Sequence, residues 1–186
     1  MKAICNGKFF GLKTMAPQIS ELFPKEFKIY VEPFCGHAST TPYAIKQHPS
    51  CIIHLNDLSD HSIDYCKRNF GSKAIITKKD YKLILKQYKD NENAFLLIDP
   101  PWKSRDHYIM TEKPREYYSN IIKILDNCKC KWMIIGAACN NKGKPRDSST
   151  VALMSLQEKY NNIQIYYNGK KSIFGGKAGV RLIKNY

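Results

Sequence analysis

The stretch Ala94-Phe95-Leu96-Leu97-Ile98-Asp99-Pro100-Pro101-Trp102 decides how this chain is read. Five consecutive apolar residues suit a strand covered on both faces, as in the middle of a parallel sheet. That strand ends on a carboxylate, two prolines and an aromatic ring. In open α/β sheets, ligands bind beyond the carboxyl ends of the strands. Pro100 and Pro101 stiffen the turn and bring no N–H donors to it. Asp99 and the Pro100 carbonyl are thereby placed to accept from one exocyclic amine, and Trp102 offers a flat face for stacking on an extruded base.

Outward from this strand, apolar runs at 28–32, 51–55 and 73–77 precede it, and runs at 131–135, 162–167 and 180–184 follow. Helix-like stretches lie between them at about 16–22, 40–47, 60–69, 80–88, 114–125 and 149–160. Repeated βα units predict an α/β fold with a mostly parallel seven-stranded sheet and helices on both faces. The Gly-rich segment 168–179 predicts a C-terminal hairpin, so one of the last two strands runs antiparallel. No linker or internal repeat divides the chain, and residues 1–186 are expected to form one domain.

The net charge of +14 is unevenly spread. Residues 1–60 hold six Lys and five acids, and 61–130 hold fourteen Lys+Arg and nine acids. Residues 131–186 hold ten Lys+Arg and two acids. This bias predicts a polyanionic partner, nucleic acid above all. Three basic stretches fall after strands four and five and in the last hairpin. They contain Lys103, Arg105 and His107; Lys142, Lys144 and Arg146; and Lys170, Lys171 and Lys177. All three are expected at the edge that carries Asp99, where they would hold phosphates. No apolar run is long enough to span a bilayer and no signal-peptide core opens the chain, so a cytoplasmic protein is expected. The seven scattered cysteines, with Cys128 and Cys130 the nearest pair, read as free thiols; no metal site is expected.

Three further stations share the strand ends. Residues 32–39, Glu32-Pro33-Phe34-Cys35-Gly36-His37-Ala38-Ser39, leave the first strand and open a helix, a turn in which a cofactor can approach the backbone. Asn56-Asp57 ends the second strand, where an acid suits ribose hydroxyls and equally suits a helix N-cap. Asp80-Tyr81 follows the third, with the same two alternatives for Asp80: an adenine amine or an N-cap.

In this order the motifs resemble the Dam-type N6-adenine DNA methyltransferases, nearly end to end. Phe10-Gly11-Leu12-Lys13 is similar to that family's N-terminal Gly-Gly-Lys motif, and Glu32-Pro33-Phe34-Cys35-Gly36 to its Glu-Pro-Phe-x-Gly-x-Gly cofactor loop. Asn56-Asp57-Leu58 resembles its acidic motif, Asp80-Tyr81 its acid–aromatic pair, and Asp99-Pro100-Pro101-Trp102 its catalytic Asp-Pro-Pro-Tyr. Tyr108 and the helix after it, with the closing 181–186, also follow the family's habit. The resemblance implies a Rossmann-like class I methyltransferase fold, S-adenosylmethionine as cofactor, and methyl transfer to N6 of adenine in DNA. It implies catalytic roles for Asp99, Pro100, Pro101 and Trp102. It implies cofactor contacts from Phe10, Gly11, Lys13, Glu32, Pro33, Phe34, Gly36, Ala38, Ser39, Asn56, Asp57, Leu58, Asp80 and Tyr81.

The chain departs from that pattern at three places. His37 and Ala38 stand where small residues and a glycine are usual, and Gly136-Ala137 where a Ser-Gly-Tyr type sequence is common. Asp80 and Asp99 lie 19 positions apart, with no room for the target-recognition domain usually found there. A bare catalytic domain of low or short-context selectivity is expected, with a partner subunit as one source of target recognition. Rival readings are an RNA adenine methyltransferase, a non-catalytic nucleic-acid-binding subunit, and a protein-amide methyltransferase. The last usually has Asn at the position of Asp99.

Overall fold

A computed structural model describes residues 15–101, 111–137, 151, 153, 156, 159–171 and 177–186. Its elements run α1 (Ala16–Ser20), β1 (Ile29–Glu32), α2 (Thr41–Gln47), β2 (Ile52–Asn56), α3 (Asp60–Phe70), β3 (Ala74–Thr77), α4 (Tyr81–Tyr88), β4 (Ala94–Ile98), α5 (Pro114–Leu125), β5 (Lys131–Ala137), β6 (Asn161–Lys171) and β7 (Lys177–Lys184). Residues 151 and 153 are helical, and the rest of the helix expected at 149–160 falls largely outside the described residues. Among the described residues, no helix is long and apolar enough to cross a membrane.

The strands form one sheet in the order β3-β2-β1-β4-β5-β7-β6. β1 to β5 are mutually parallel, and β7 runs antiparallel to both its neighbours. Strict alternation along the central strands builds two cores. Tyr30, Phe95, Leu97, Met133 and Ile135 face a layer that includes residues of α1, α2 and α3. Val31, Leu96, Ile98, Trp132 and Ile134 face α4 and α5. Burial on both faces is why β4 reads as an unbroken apolar run. The chain reverses its strand order between β1 and β4, which opens a crevice at their carboxyl ends.

The other end of the order leaves β3 as an edge strand. It is only four residues long, Lys73 and Lys78 flank it, and Ile75 within it is half exposed.

The hairpin differs from the sequence expectation. Pairing continues past Gly169 and Gly179 to Lys171↔Lys177, with a register shift between Tyr166 and Lys171. Lys170, Lys171 and Lys177 therefore lie in strands rather than in the turn. An irregular ladder tolerates glycine, so the Gly-rich composition that reads as a loop is absorbed into the strands. Ala137 pairs with Val180, which sets this end of the hairpin beyond the carboxyl end of β5, on the edge that carries Asp99.

Candidate active site

The carboxyl ends of β1, β2, β3 and β4 bring Glu32, Asp57, Asp80 and Asp99 to one edge of the sheet. Val31 pairs with Leu96, so continuing the register sets Asp99 level with Phe34 in the turn after β1. Adjacent strands lie about 4.8 Å apart, which makes the two loops direct neighbours. Pro100 is buried, and Asp99 and Pro101 are half-buried.

The turn after β1 is shaped by backbone conformation. Gly36 and Ala38 both hold left-handed φ angles, 50° and 48°. The Ala38 N–H donates to the Cys35 carbonyl at 2.6 Å and the Cys35 N–H to the Asn56 carbonyl at 2.8 Å. Ala38 thus keeps a glycine-like conformation with a Cβ present, at a cost of about 1–2 kcal/mol. His37 is drawn onto α3, its ring stacked on Tyr65 at 4.1 Å and its Nε2 lying 3.2 Å from His61 Nε2. Cys35 and Cys66 meet across the same contact with sulfurs 3.7 Å apart, and all described cysteines are free thiols.

Glu32 is buried beneath this turn. The hydroxyls of Tyr30, Thr40 and Thr41 lie 2.8, 2.9 and 2.7 Å from its Oε1. Burial pushes its carboxyl up to about 7, and the hydroxyl hydrogen bonds oppose that rise. Tyr30 and Glu32 alternate onto one face of β1, and Thr40-Thr41 opens α2, so Glu32 ties the strand end to the helix start.

Asp57 holds the turn from the other side. Its Oδ2 accepts from the Gly36 N–H at 2.8 Å and its Oδ1 from the Ser59 N–H at 2.9 Å. Burial raises its pKa, opposed by backbone donors that include Ser59 and Gly36. With the Leu58 N–H also bonding the carboxylate, three donors meet about four acceptor positions, which leaves room for one ligand hydroxyl.

Asn56 does not have that freedom. Its amide donates to the Pro33 carbonyl at 3.0 Å and the Lys79 carbonyl at 2.9 Å. Its Oδ1 accepts from Thr77 Oγ1 at 2.8 Å and the Lys79 N–H at 2.9 Å. Both donors and both acceptor positions are filled, so Asn56 clamps the ends of β1, β2 and β3 together. The clamp continues inward to His54, whose Nε2 lies 2.8 Å from Thr77 Oγ1 and whose Nδ1 lies 2.9 Å from Tyr88 Oη. The single Thr77 proton goes to Asn56, so His54 must donate from Nε2 and accept at Nδ1.

Asp80 is the N-cap of α4, with Oδ1 accepting from the Lys82 N–H at 2.7 Å. Tyr81 is buried rather than presented to the edge. Its ring lies 4.8 Å from Phe34 and 5.4 Å from Tyr117, so it supports the turn through Phe34. Leu58 and Ser39 are half-buried beside these residues in sequence. Phe10, Gly11, Lys13, Trp102, Lys103, Arg105, His107, Tyr108, Lys142, Lys144 and Arg146 lie outside the described residues.

Gly136 stands where the family usually carries a Ser-Gly-Tyr type sequence, and packing explains it. A Cβ there would come within 2.1 Å of Leu153 Cδ1 and 3.3 Å of Tyr118 Oη. Sequence reading also passed over Tyr30, Thr40 and Thr41. A Tyr-x-Glu alternation and a Thr-Thr-Pro helix start were the available signals.

Comparison with solved structures gives the same architecture. The chain is similar to the precorrin-6y C5,15-methyltransferase of Geobacter metallireducens, with TM-score 0.62 and 14% identity over 99% of this chain and 92% of the other. A methyltransferase from Geobacter sulfurreducens superposes with TM-score 0.59 and 12% identity over 95% and 80% of the two chains. The N-terminal domain of human METTL16, in complex with SAH, gives 0.53 and 11% over 93% and 68%. No curated protein matches by sequence. The family model for D12 class N6 adenine-specific DNA methyltransferases matches residues 11–122. That span runs from Gly11 through all four strand-end motifs into α5. The chain belongs to the D12 class N6 adenine-specific DNA methyltransferase family, whose cofactor is S-adenosylmethionine.

Proposed function

We propose that this chain transfers a methyl group to N6 of adenine in DNA. The carrying observation is the position of Asp99-Pro100-Pro101 at the exit of β4, level with the left-handed turn that leaves β1. The residues of that turn suit the cofactor. Gly36 and Ala38 bend the backbone so that a ligand can approach it, and the Asp57 carboxylate retains acceptor capacity for a ribose hydroxyl. Glu32, Pro33, Phe34, Gly36 and Asp57 would hold S-adenosylmethionine, which when bound supplies a methyl group on a sulfonium.

The adenine amine is a poor nucleophile because its lone pair is delocalised into the ring. Asp99 and the Pro100 carbonyl accept from its two N–H bonds and favour a more tetrahedral nitrogen. That interaction strengthens along the reaction and so lowers the barrier. Trp102 stacks on the extruded base, worth about 1–3 kcal/mol. The basic stretches at 103–107, 142–146 and 170–177 contact phosphates. The interval from Asp80 to Asp99 is filled by α4 and β4, so target selectivity is short-context or comes from a partner subunit.

The test is transfer of labelled methyl from S-adenosylmethionine to unmethylated DNA and, in parallel, to RNA, with product nucleosides resolved. Label in N6-methyladenine from DNA is expected. Label in the RNA arm alone would overturn the DNA assignment, and cofactor binding without transfer to either acceptor would overturn the enzymatic one.

A further inference from the structure

His37 stands where the family usually carries a small residue, and methyl transfer gives it no task. Its ring stacks on Tyr65 at 4.1 Å with the two planes 14° apart. Its Nε2 lies 3.2 Å from His61 Nε2, and the two ring centroids are 5.3 Å apart. The imidazoles thus meet tip to tip. They come from the turn after β1 and the first turn of α3, 24 positions apart in sequence, so no local motif announces them.

Both rings are placed by packing. His61 and Tyr65 are four residues apart on α3 and share one face of it. Tyr65 then aims the His37 ring at His61. The backbone on either side of His37 is pinned as well. The Gly36 N–H donates to Asp57 at 2.8 Å, and the Gly36 carbonyl accepts from the Cys66 thiol at 3.6 Å. The Ala38 N–H donates to Cys35 at 2.6 Å. His61 is exposed and His37 half-buried, so a small solute can reach the pair.

An ion held tetrahedrally at about 2.0–2.1 Å from two imidazole nitrogens keeps them about 3.3–3.4 Å apart. The 3.2 Å gap already matches that bite to within about 0.2 Å. A hydrogen bond between neutral rings has the same length, with one Nε2–H donating to the other nitrogen. An ion takes the place of that proton, which moves to Nδ1, and both rings bind it as neutral imidazoles. Imidazole suits zinc, copper and nickel. Among the described residues, no group of three or more His, Cys, Asp or Glu converges on a metal position. Two coordination positions therefore go to water or a solute, which makes such an ion exchangeable rather than structural. The start of α3 disfavours a cation through its dipole, and Asp60 and Asp64, on either side of His61 in sequence, oppose that.

We propose that His37 and His61 form a two-histidine site for a divalent transition metal ion of the zinc type, which ties the turn after β1 to α3. The site stands on the fold and does not depend on the methyltransferase reading.

The test is calorimetric titration of the cofactor-free chain with zinc, beside His37→Gln, His61→Gln and the double variant. The unmodified chain is expected to bind one zinc ion through both rings. Either single substitution should weaken that binding at least tenfold. The double variant should lose no more than the singles, because one chelate is lost only once. Zinc should also raise the melting temperature of the unmodified chain more than that of any variant. A further measurement needs no variant: in proton NMR, ring signals of two of the five histidines should move together as zinc is added. Absence of zinc binding would overturn the proposal. So would binding that survives both substitutions, as at the Cys128 and Cys130 thiols. Binding that only one of the two substitutions removes, or a single histidine moving in the spectrum, would mark a lone imidazole and overturn it too.

Discussion

Glu32→Gln should make the cofactor-free protein more stable, and the gain should grow with pH. Glu32 is buried, and its carboxyl is pushed up to about 7 from an ordinary 4.5. The fold therefore holds a proton that the unfolded chain has already released, and stability falls as pH rises from 4.5 through 7. At pH 5 the unfolded chain's preference for ionisation costs the fold about 0.8 kcal/mol, and at pH 8 about 3.3 kcal/mol. Glutamine keeps an oxygen for the hydroxyls of Tyr30, Thr40 and Thr41 and removes the ionisation. The native protein should thus lose about 2.5 kcal/mol relative to the variant between pH 5 and pH 8. That corresponds to about 5–10 °C in melting temperature for a chain of this size. The assay is a pair of thermal melts across pH 5–8 without cofactor. Taking the difference cancels groups common to both proteins, including His54 and Asp57. Parallel curves with a constant offset would refute the reasoning, because Glu32 would then be ionised in the fold at an ordinary pKa.

Three further outcomes are expected. Asp99→Ala should lower kcat by about a thousandfold or more while cofactor Kd, read by calorimetry, stays within about twofold; full activity would remove Asp99 from the mechanism. Asn56→Ala should cost about 3 kcal/mol in denaturant unfolding, since it strands partners at Pro33, Thr77 and Lys79. Cys128 should be the described cysteine alkylated fastest by iodoacetamide near pH 7, as read by peptide mass. A hydrogen bond from Cys130 lowers its thiol to about 7 and it is half-buried, whereas Cys35, Cys66 and Cys130 are buried.

The parts legible in the sequence are those where one strand's composition carries the information. β4 follows from five apolar residues, and α5 from its periodicity after Pro114. The strand ends were legible because each carried a short motif in family order. Cross-strand geometry was not legible. The glycines at 169 and 179 read as a turn, yet Gly179 pairs with Tyr166 and Gly169 lies within β6 at the register shift. Asn56 read as part of a ligand motif, and the sequence held no sign that three strand ends converge on its amide. A side chain's partners are set by tertiary packing, and local pattern names only its element.

The short edge strand β3 bears on how this protein behaves in concentrated solution. Two copies approaching edge to edge in antiparallel register over Ala74–Thr77 would bring each Lys73 opposite a Lys78. Four ammonium groups would crowd the seam while each Ile75 came opposite the other copy's Ile76 at its centre. At low ionic strength repulsion keeps the edges apart. At about 1 M salt the screening length shrinks to about 3 Å and the lysines lose their reach. Salting this protein for storage would therefore weaken the charges that guard its sheet edge, so a dilute buffer is the gentler choice for keeping it monodisperse.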